Sequence, residues 1–239
     1  MFDSLIKAIQ QSAQAQLVPA NSEAVFTDKP LHWIPERNVE ELSTRSLESI
    51  VTYCNKNNQI DNEDVTAILV KDHRTVEVLG PLSAVTGART TLLIAAAELP
   101  VFNFGMYYDR EEFQIAIASK FVQSDNLNTI IALVGKLTDQ TLKTVEDDGI
   151  SQTVSVKAGI SMSGDVIVPP RVRLAPYRTF FEVEQPTSEF LLRIRKDRDG
   201  NIQCTLFEAD GGAWKTKAQA NIVAWLQERL GDAAPVILF

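Results

Sequence analysis

Histidine and cysteine are scarce in this sequence, and the little there is does not cluster. Cys54 and Cys204 lie far apart and lack the paired spacing of a zinc ligand set or a redox dithiol, so they read as two buried, reduced thiols. Only His32 and His73 offer an imidazole base, and His32 sits beside Trp33 in a proline-rich stretch. Positive charge is also in deficit. The 23 Lys and Arg residues against 31 Asp and Glu leave a net charge of -8, which argues against a large sequence-independent contact with nucleic acid. Long hydrophobic runs are missing too: the most apolar segment, Leu92 to Ala97, is cut by Glu98 and Pro100 far short of a membrane span. The opening MFDSLIKAIQQSAQAQ is amphipathic rather than a charged stub followed by an apolar run, so no secretory leader is expected. These absences point to a soluble, cytoplasmic protein without membrane contact. There is no internal repeat and no low-complexity tract.

Several motifs come close to a known chemistry and miss it. Between Gly80 and Gly87 there are six residues where a phosphate-binding loop has four, and Ala88 stands where that loop requires lysine, so the stretch reads as a turn between strands. In Gly159-Ile160-Ser161-Met162-Ser163-Gly164 the second glycine comes one place too late for a nucleophile elbow. Asp197-Arg198-Asp199-Gly200-Asn201 has its glycine at the fourth position rather than the sixth of a calcium loop, and a hairpin turn accounts for it. Acidic residues at Asp61-Glu63-Asp64 and Glu146 to Asp148 read as solvated turns. No catalytic, cofactor-binding or metal-binding residue is nominated.

What the chain does contain is an ordered series of element signals. Phe2, Leu5, Ile6 and Ile9 form one stripe of an N-terminal helix, and Pro19, Pro30 and Pro35 mark Leu17 to Arg37 as an extended arm. A helix is expected from Ser43 with Leu47, Ile50, Val51 and Cys54 inward, ended by the polar run Asn55 to Asn58. Val65 to Val70 and Thr75 to Leu79 read as a hairpin, and Thr90 to Ala97 as a strand or a buried helix. Asp109 and Glu112 suggest a capping box for a helix to Phe121, and a second helix spans Asn126 to about Thr141. From there the period alternates through Thr153 to Lys157, Val166 to Val168, Thr179 to Glu184, Glu189 to Lys196 and Ile202 to Glu208, an antiparallel meander. A helix from Trp214 to Leu230, stopped by Gly231, and a strand from Pro235 to Phe239 close the chain.

The expected class is therefore α+β: an N-terminal helix and extended arm over 1-40, a mixed α/β region over 41-147, and a C-terminal antiparallel meander with its helix over 148-239, the last two forming one compact unit. Arg171, Arg173, Arg178, Arg193, Arg195, Lys196 and Arg198 make the densest basic strip, and their alternation fits the solvated faces of strands. The run Phe207 to Trp214, with Glu208, Asp210, Gly211 and Gly212, either holds a ligand or a neighbouring subunit, or is a helix-capping turn that Trp214 anchors.

The segments YRTFFEVEQP (Tyr177 to Pro186), EFLLRIRK (Glu189 to Lys196) and TLFEADGGAW (Thr205 to Trp214), with Leu92 to Ala97 and the spacing to Tyr107-Tyr108-Asp109, resemble the YfdQ-like family of phage and prophage proteins. That resemblance implies a phage or prophage gene acting in the cytoplasm of a bacterial host, and it carries over no assigned chemistry. Combined with the arm and the apolar C-terminal strand, it leads to the expectation of a non-catalytic homo-oligomer, ring or shell-like. Its contacts would come from Phe2, Leu5, Ile6, Ile9, Trp33, Trp214, Val236, Leu238 and Phe239. The alternative is an early phage accessory protein that binds single-stranded nucleic acid or a host defence factor through Arg171, Arg173, Arg193 and Arg195.

Overall fold

The computed structural model describes residues 6, 17–19, 25–27, 39–60, 64–83, 87–137, 142–147, 152–158, 162–168, 171–231 and 235–239. The chain forms two compact units, Met1–Asn38 and Val39–Phe239. In the first unit Ile6 is helical and half exposed. Strands β1 (Leu17–Pro19) and β2 (Val25–Thr27) pair antiparallel with Val18 opposite Phe26. Part of the expected arm thus folds back on itself, because pairing satisfies backbone groups that a lone extended chain leaves to water. Phe2, Leu5, Ile9 and Trp33 lie outside the described residues.

The second unit has the α+β architecture expected of it, with a C-terminal antiparallel sheet and a terminal helix. Its first sheet takes β3 (Leu42–Thr44), β4 (Ala67–Val70), β5 (Thr75–Leu82), β6 (Arg89–Ala96) and β14 (Val236–Leu238) in the order β14-β4-β5-β6-β3. The β4–β5 hairpin turns at Lys71 to Arg74 as its sequence indicates. The segment after Gly87 is a strand, settled by its pairing with β5 rather than by its ambiguous period. Both edges, β3 on β6 and β14 on β4, are parallel. Helix α1 (Leu47–Ile60) runs through the polar residues expected to end it, but leaves helical geometry at Lys56 (φ -132°, ψ 16°).

The second sheet has the order β11-β12-β13-β7, from Val172–Leu174, Ser188–Lys196, Ile202–Glu208 and Tyr108–Asp109, all antiparallel. Gly200, at φ 92°, makes the β12–β13 turn, and the Asp197 carboxylate accepts from the backbone N–H groups of Asp199 and Asn201 at 2.9 and 2.8 Å. Helices α2 (Arg110–Lys120) and α3 (Asp125–Lys136) follow β7. Ser124 caps α3 by accepting from Leu127 N at 3.2 Å. Asp109 stands at the N-cap of α2 without bonding the helix, so the expected capping box is not formed. Its carboxylate is taken by Gln203 Nε2 of β13 at 3.4 Å, since pairing of β7 at the sheet edge turns the side chain away.

The expected single meander is split. Strands β8 (Leu142–Asp147), β9 (Gln152–Ala158) and β10 (Met162–Val168) form a separate three-stranded antiparallel sheet, so Glu146 and Asp147 lie in a strand rather than a turn. Thr179 to Glu184 is not a strand at all. The terminal helix α4 (Trp214–Leu230) ends at Gly231, whose φ of 67° suits glycine, with its N–H donating to Gln227 O.

Two apolar cores result. Phe113, Ile117, Leu127 and Ile130 of α2 and α3 pack on Phe190, Leu192, Ile194 and Leu206 of the four-stranded sheet. Leu47 and Ile50 of α1 and Ile222 and Leu226 of α4 pack on Ile68, Val76, Val78 and Leu92 of the five-stranded sheet. The inward residues of β12 alternate with Glu189, Leu191 and Arg193, as period two requires. Cys54 and Cys204 are free thiols, half-buried and buried, and burial pushes them up to about 11 and about 12.

The loop from Ala175 to Thr187 joins the two layers. Phe180 and Val183 bury themselves in the second core, and Glu182 Oε1 accepts from Ser46 Oγ and Leu47 N at 2.7 and 2.9 Å, a carboxylate at the start of α1. Tyr177 N donates to Lys120 O at 3.0 Å, and Asn221 of α4 donates to Glu184 O at 2.8 Å. The loop's own closure comes from buried Gln185. Its Oε1 accepts from Arg178 N and Thr179 N at 2.9 and 3.1 Å, and its Nε2 donates to Thr179 O and Phe180 O at 3.2 and 2.9 Å. Thr179 to Glu184 alternates like a strand in sequence, but Thr179, Phe180 and Val183 are buried while Phe181 and Glu184 are exposed, and the Gln185 amide rather than a partner strand meets its backbone. Gln185→Leu strands these groups in the interior, and each unpaired group costs about 1–3 kcal/mol. The expected loss is about 3–5 kcal/mol in urea unfolding, against less than about 0.5 kcal/mol for the exposed Glu184→Gln.

Candidate functional site

The expected contact residues divide into three groups. The N-terminal ones, Ile6 excepted, fall outside the described residues. Val236, Leu238 and Phe239 are 64%, 49% and 70% exposed, while Ile237 between them packs on the second core. Strand β14 is the outermost of its sheet, bonded to β4 on one side. An edge strand of this kind presents backbone donors and acceptors together with apolar side chains. Trp214 does not belong with them: it is buried inside its own unit, at 8% exposure, and is spent on intramolecular contacts rather than offered to a neighbour.

The basic strip also divides. Arg171 pairs with Glu189 at 2.8 Å, and Arg195 lies over the Tyr107 ring at 3.5 Å while donating to Gln203 Oε1 at 3.0 and 3.1 Å. Arg173 and Arg193 project from β11 and β12 on the face opposite the core. Arg178 leaves the strip altogether and is buried. The alternation of its neighbours hides this in the sequence, and the only signal for it is the company of Trp214 and Glu208 in the other resembling segment.

Arg178 and Trp214 form the centre of a polar junction. The guanidinium carbon lies 3.9 Å from the Trp214 ring centroid and 5.6 Å from that of Phe190. Arg178 Nη1 donates to Glu208 Oε1 at 2.7 Å, and the same oxygen accepts from Trp214 Nε1 at 3.1 Å. Nη2 donates to Ser188 Oγ, and Ser188 in turn bonds Asp210. Burial brings Arg178 down to about 10, against the pull of Glu208 and Asp210, and it stays charged at neutral pH. Burial would raise Asp210, but hydrogen bonds from Ser188 and Gly212 N and the charge of Arg178 outweigh it and hold the carboxyl low. Glu208 is also the twelfth residue counted from Asp197, but β13 separates them and its carboxylate is committed to this junction.

Beside the junction, at the seam of the two layers, lies a cavity of about 200 Å³. His73 and Arg74 from the β4–β5 turn, Lys120 from the end of α2, and Tyr177 and Arg178 from the loop supply its polar lining. Ala97, Leu99, Pro100, Val101, Phe102, Phe104 and Pro176 supply the apolar part, and Trp214 completes it. Among the described residues, no Asp or Glu lines it. His73 meets the Trp214 ring edge-on at 4.7 Å. Burial lowers its pKa; Asp72 opposes that shift, and Arg74, Lys215 and Arg178 add to it. Among the described residues, no three His, Cys, Asp or Glu side chains gather as a metal site would, and no helix is long and apolar enough to cross a membrane.

No protein-family model, curated protein or solved structure matches the chain.

A lowered histidine pKa means that the unfolded chain takes up a proton first as pH falls, so stability drops below about pH 6.5. Asp197 and Asp210, both depressed, keep their contributions until more acidic pH. Thermal unfolding followed at pH 7.5 and 5.5 is therefore expected to show a smaller loss of Tm in His73→Phe than in the parent chain.

Proposed function

We propose that this is a phage- or prophage-encoded protein of the bacterial cytoplasm that acts by assembling with copies of itself rather than by catalysis. The observation that carries this reading is the apolar outer edge of β14, where Val236, Leu238 and Phe239 remain exposed on a strand paired on one side. Two such edges related by a two-fold axis present identical, self-complementary backbone groups, and antiparallel pairing between them would join two sheets into one. Each apolar side chain fully covered in that contact contributes about 1.5–3 kcal/mol.

A three-residue strand is too short to bury the area of about 1,000 Å² that a stable interface needs. The N-terminal stripe Phe2, Leu5, Ile6 and Ile9, together with Trp33, is the second contact in this reading, and half-exposed Ile6 is compatible with it. Two contacts at opposite ends of the sequence would propagate into a closed ring or shell when the rotation between subunits closes. The resemblance to the YfdQ-like family supplies the phage origin. The nucleic-acid alternative is weakened by Arg171 and Arg195 being engaged within the chain, although exposed pairs of this kind are worth little and can be exchanged.

Light scattering coupled to size exclusion tests the proposal. The full chain is expected at a discrete multiple of 26.5 kDa, the Val236→Lys/Leu238→Lys variant at a smaller species, and a variant lacking residues 1 to 36 likewise. A full chain that is monomeric at micromolar concentration, with both variants unchanged, overturns the reading.

A further inference from the structure

The cavity at the seam has a chemistry that the assembly reading does not use. We propose that it binds a small organic anion: a phosphate or carboxylate group carried on a compact aromatic or aliphatic body. The protein as a whole is acidic, at -8, yet Arg74, Lys120 and Arg178 line one concavity, beside a His73 that burial keeps neutral, and among the described residues no carboxylate lines it. A cleft lined by one sign of charge and walled by apolar groups focuses its field locally, whatever the net charge outside.

The cation deepest in the junction is Arg178. The Arg178 side chain is 8% exposed, and its two terminal nitrogens are satisfied by Glu208 and Ser188, but its Nε is buried without a hydrogen-bond partner. Folded proteins rarely leave a buried donor unpaired; Nε itself is sealed from the cavity, so what Arg178 brings to a bound anion is the charge of its guanidinium. The nearby carboxylates are already committed: Glu208 to Arg178 and Trp214, Asp210 to Ser188 and Gly212 N, and Asp72 to Arg74 N at 2.7 Å.

The ligand's body is set by the other wall. Leu99, Val101 and Phe104 give an apolar surface, and Val101 is 69% exposed at present. Tyr177, tilted against the 61% exposed Phe181 with centroids 5.4 Å apart, extends an aromatic surface beyond the cavity. A volume of about 200 Å³ admits a group the size of a phenyl ring with its phosphate and excludes a folded domain. Inorganic phosphate alone would meet the cations but leave this wall wet, so the structure assigns the tighter binding to a phosphate monoester with an apolar body.

Isothermal titration with phenyl phosphate, inorganic phosphate and phenol on the full chain tests this. Phenyl phosphate is expected to bind most tightly, more weakly as salt is raised, and to change Trp214 fluorescence, a change absent in Trp214→Phe. Arg178 is held in the junction and its variants risk misfolding, so the cations to remove are Lys120 and Arg74, whose side chains stand outside it. Lys120→Gln and Arg74→Gln are each expected to weaken phenyl phosphate by about tenfold while leaving the Tm of the free protein unchanged. No heat and no fluorescence change with phenyl phosphate at about 10 mM overturns the proposal, as does binding of equal strength in both variants. Neither result depends on the oligomeric state.

Discussion

The amide of Gln185 is the contact on which the arrangement of the second unit depends. It closes the loop from Arg178 to Val183 by serving two backbone N–H donors and the carbonyls of Thr179, Phe180 and Val183 at once. With the loop closed, Phe180 and Val183 face one core, Glu182 reaches the start of α1, and Tyr177 is tied to the end of α2. Arg178 is placed by the same closure, since its own N–H is one of the groups that Gln185 accepts. A side-chain amide is well suited to this work because it carries donor and acceptor in one plane and brings no charge to desolvate. The junction around Trp214 and the neighbouring cavity are consequences of the closed loop rather than independent constructions.

Local signals were the legible part. Helices α1 to α4, the β4–β5 and β12–β13 hairpins and the Gly231 stop each rest on residues close together in the chain, so period and turn chemistry specify them, though not every helix start: Ser43, the expected start of α1, lies in β3. Sheet membership was not legible. Strands β8 to β10 and β11 to β13 share the same alternation, and only tertiary pairing assigns them to different sheets. Asp109 shows the same limit on a smaller scale: a valid cap in local terms, overruled by an edge pairing with Gln203 that lies 94 positions away.

The site was legible in its parts and not in its assembly. Phe207 to Trp214 stood out for its carboxylates, glycines and indole, and these residues do build the junction. What no spacing rule could supply is the arrival of Arg178, which reads as one more outward arginine between Arg173 and Arg193. Its burial follows from the loop leaving strand geometry at Tyr177, after which the outward-inward alternation no longer applies. The contributions of His73 and Lys120 come from the other sheet and from the end of α2, and they meet only because the two layers share that seam.

The parallel pairing of β14 with β4 also sets an order in time. Val236 lies opposite Ala67, about 170 residues earlier in the chain, while β4, β5 and β6 are joined to one another by short turns. On a ribosome adding about 5–20 residues per second, the hairpin partners of β4 emerge within seconds, whereas its outer edge waits roughly 10–30 s for β14. During that interval the nascent chain carries an uncovered row of backbone donors and acceptors beside Ile68 and Val70. The same pairing that completes the sheet therefore makes a newly synthesised copy most prone to mispairing with its neighbours on a polysome.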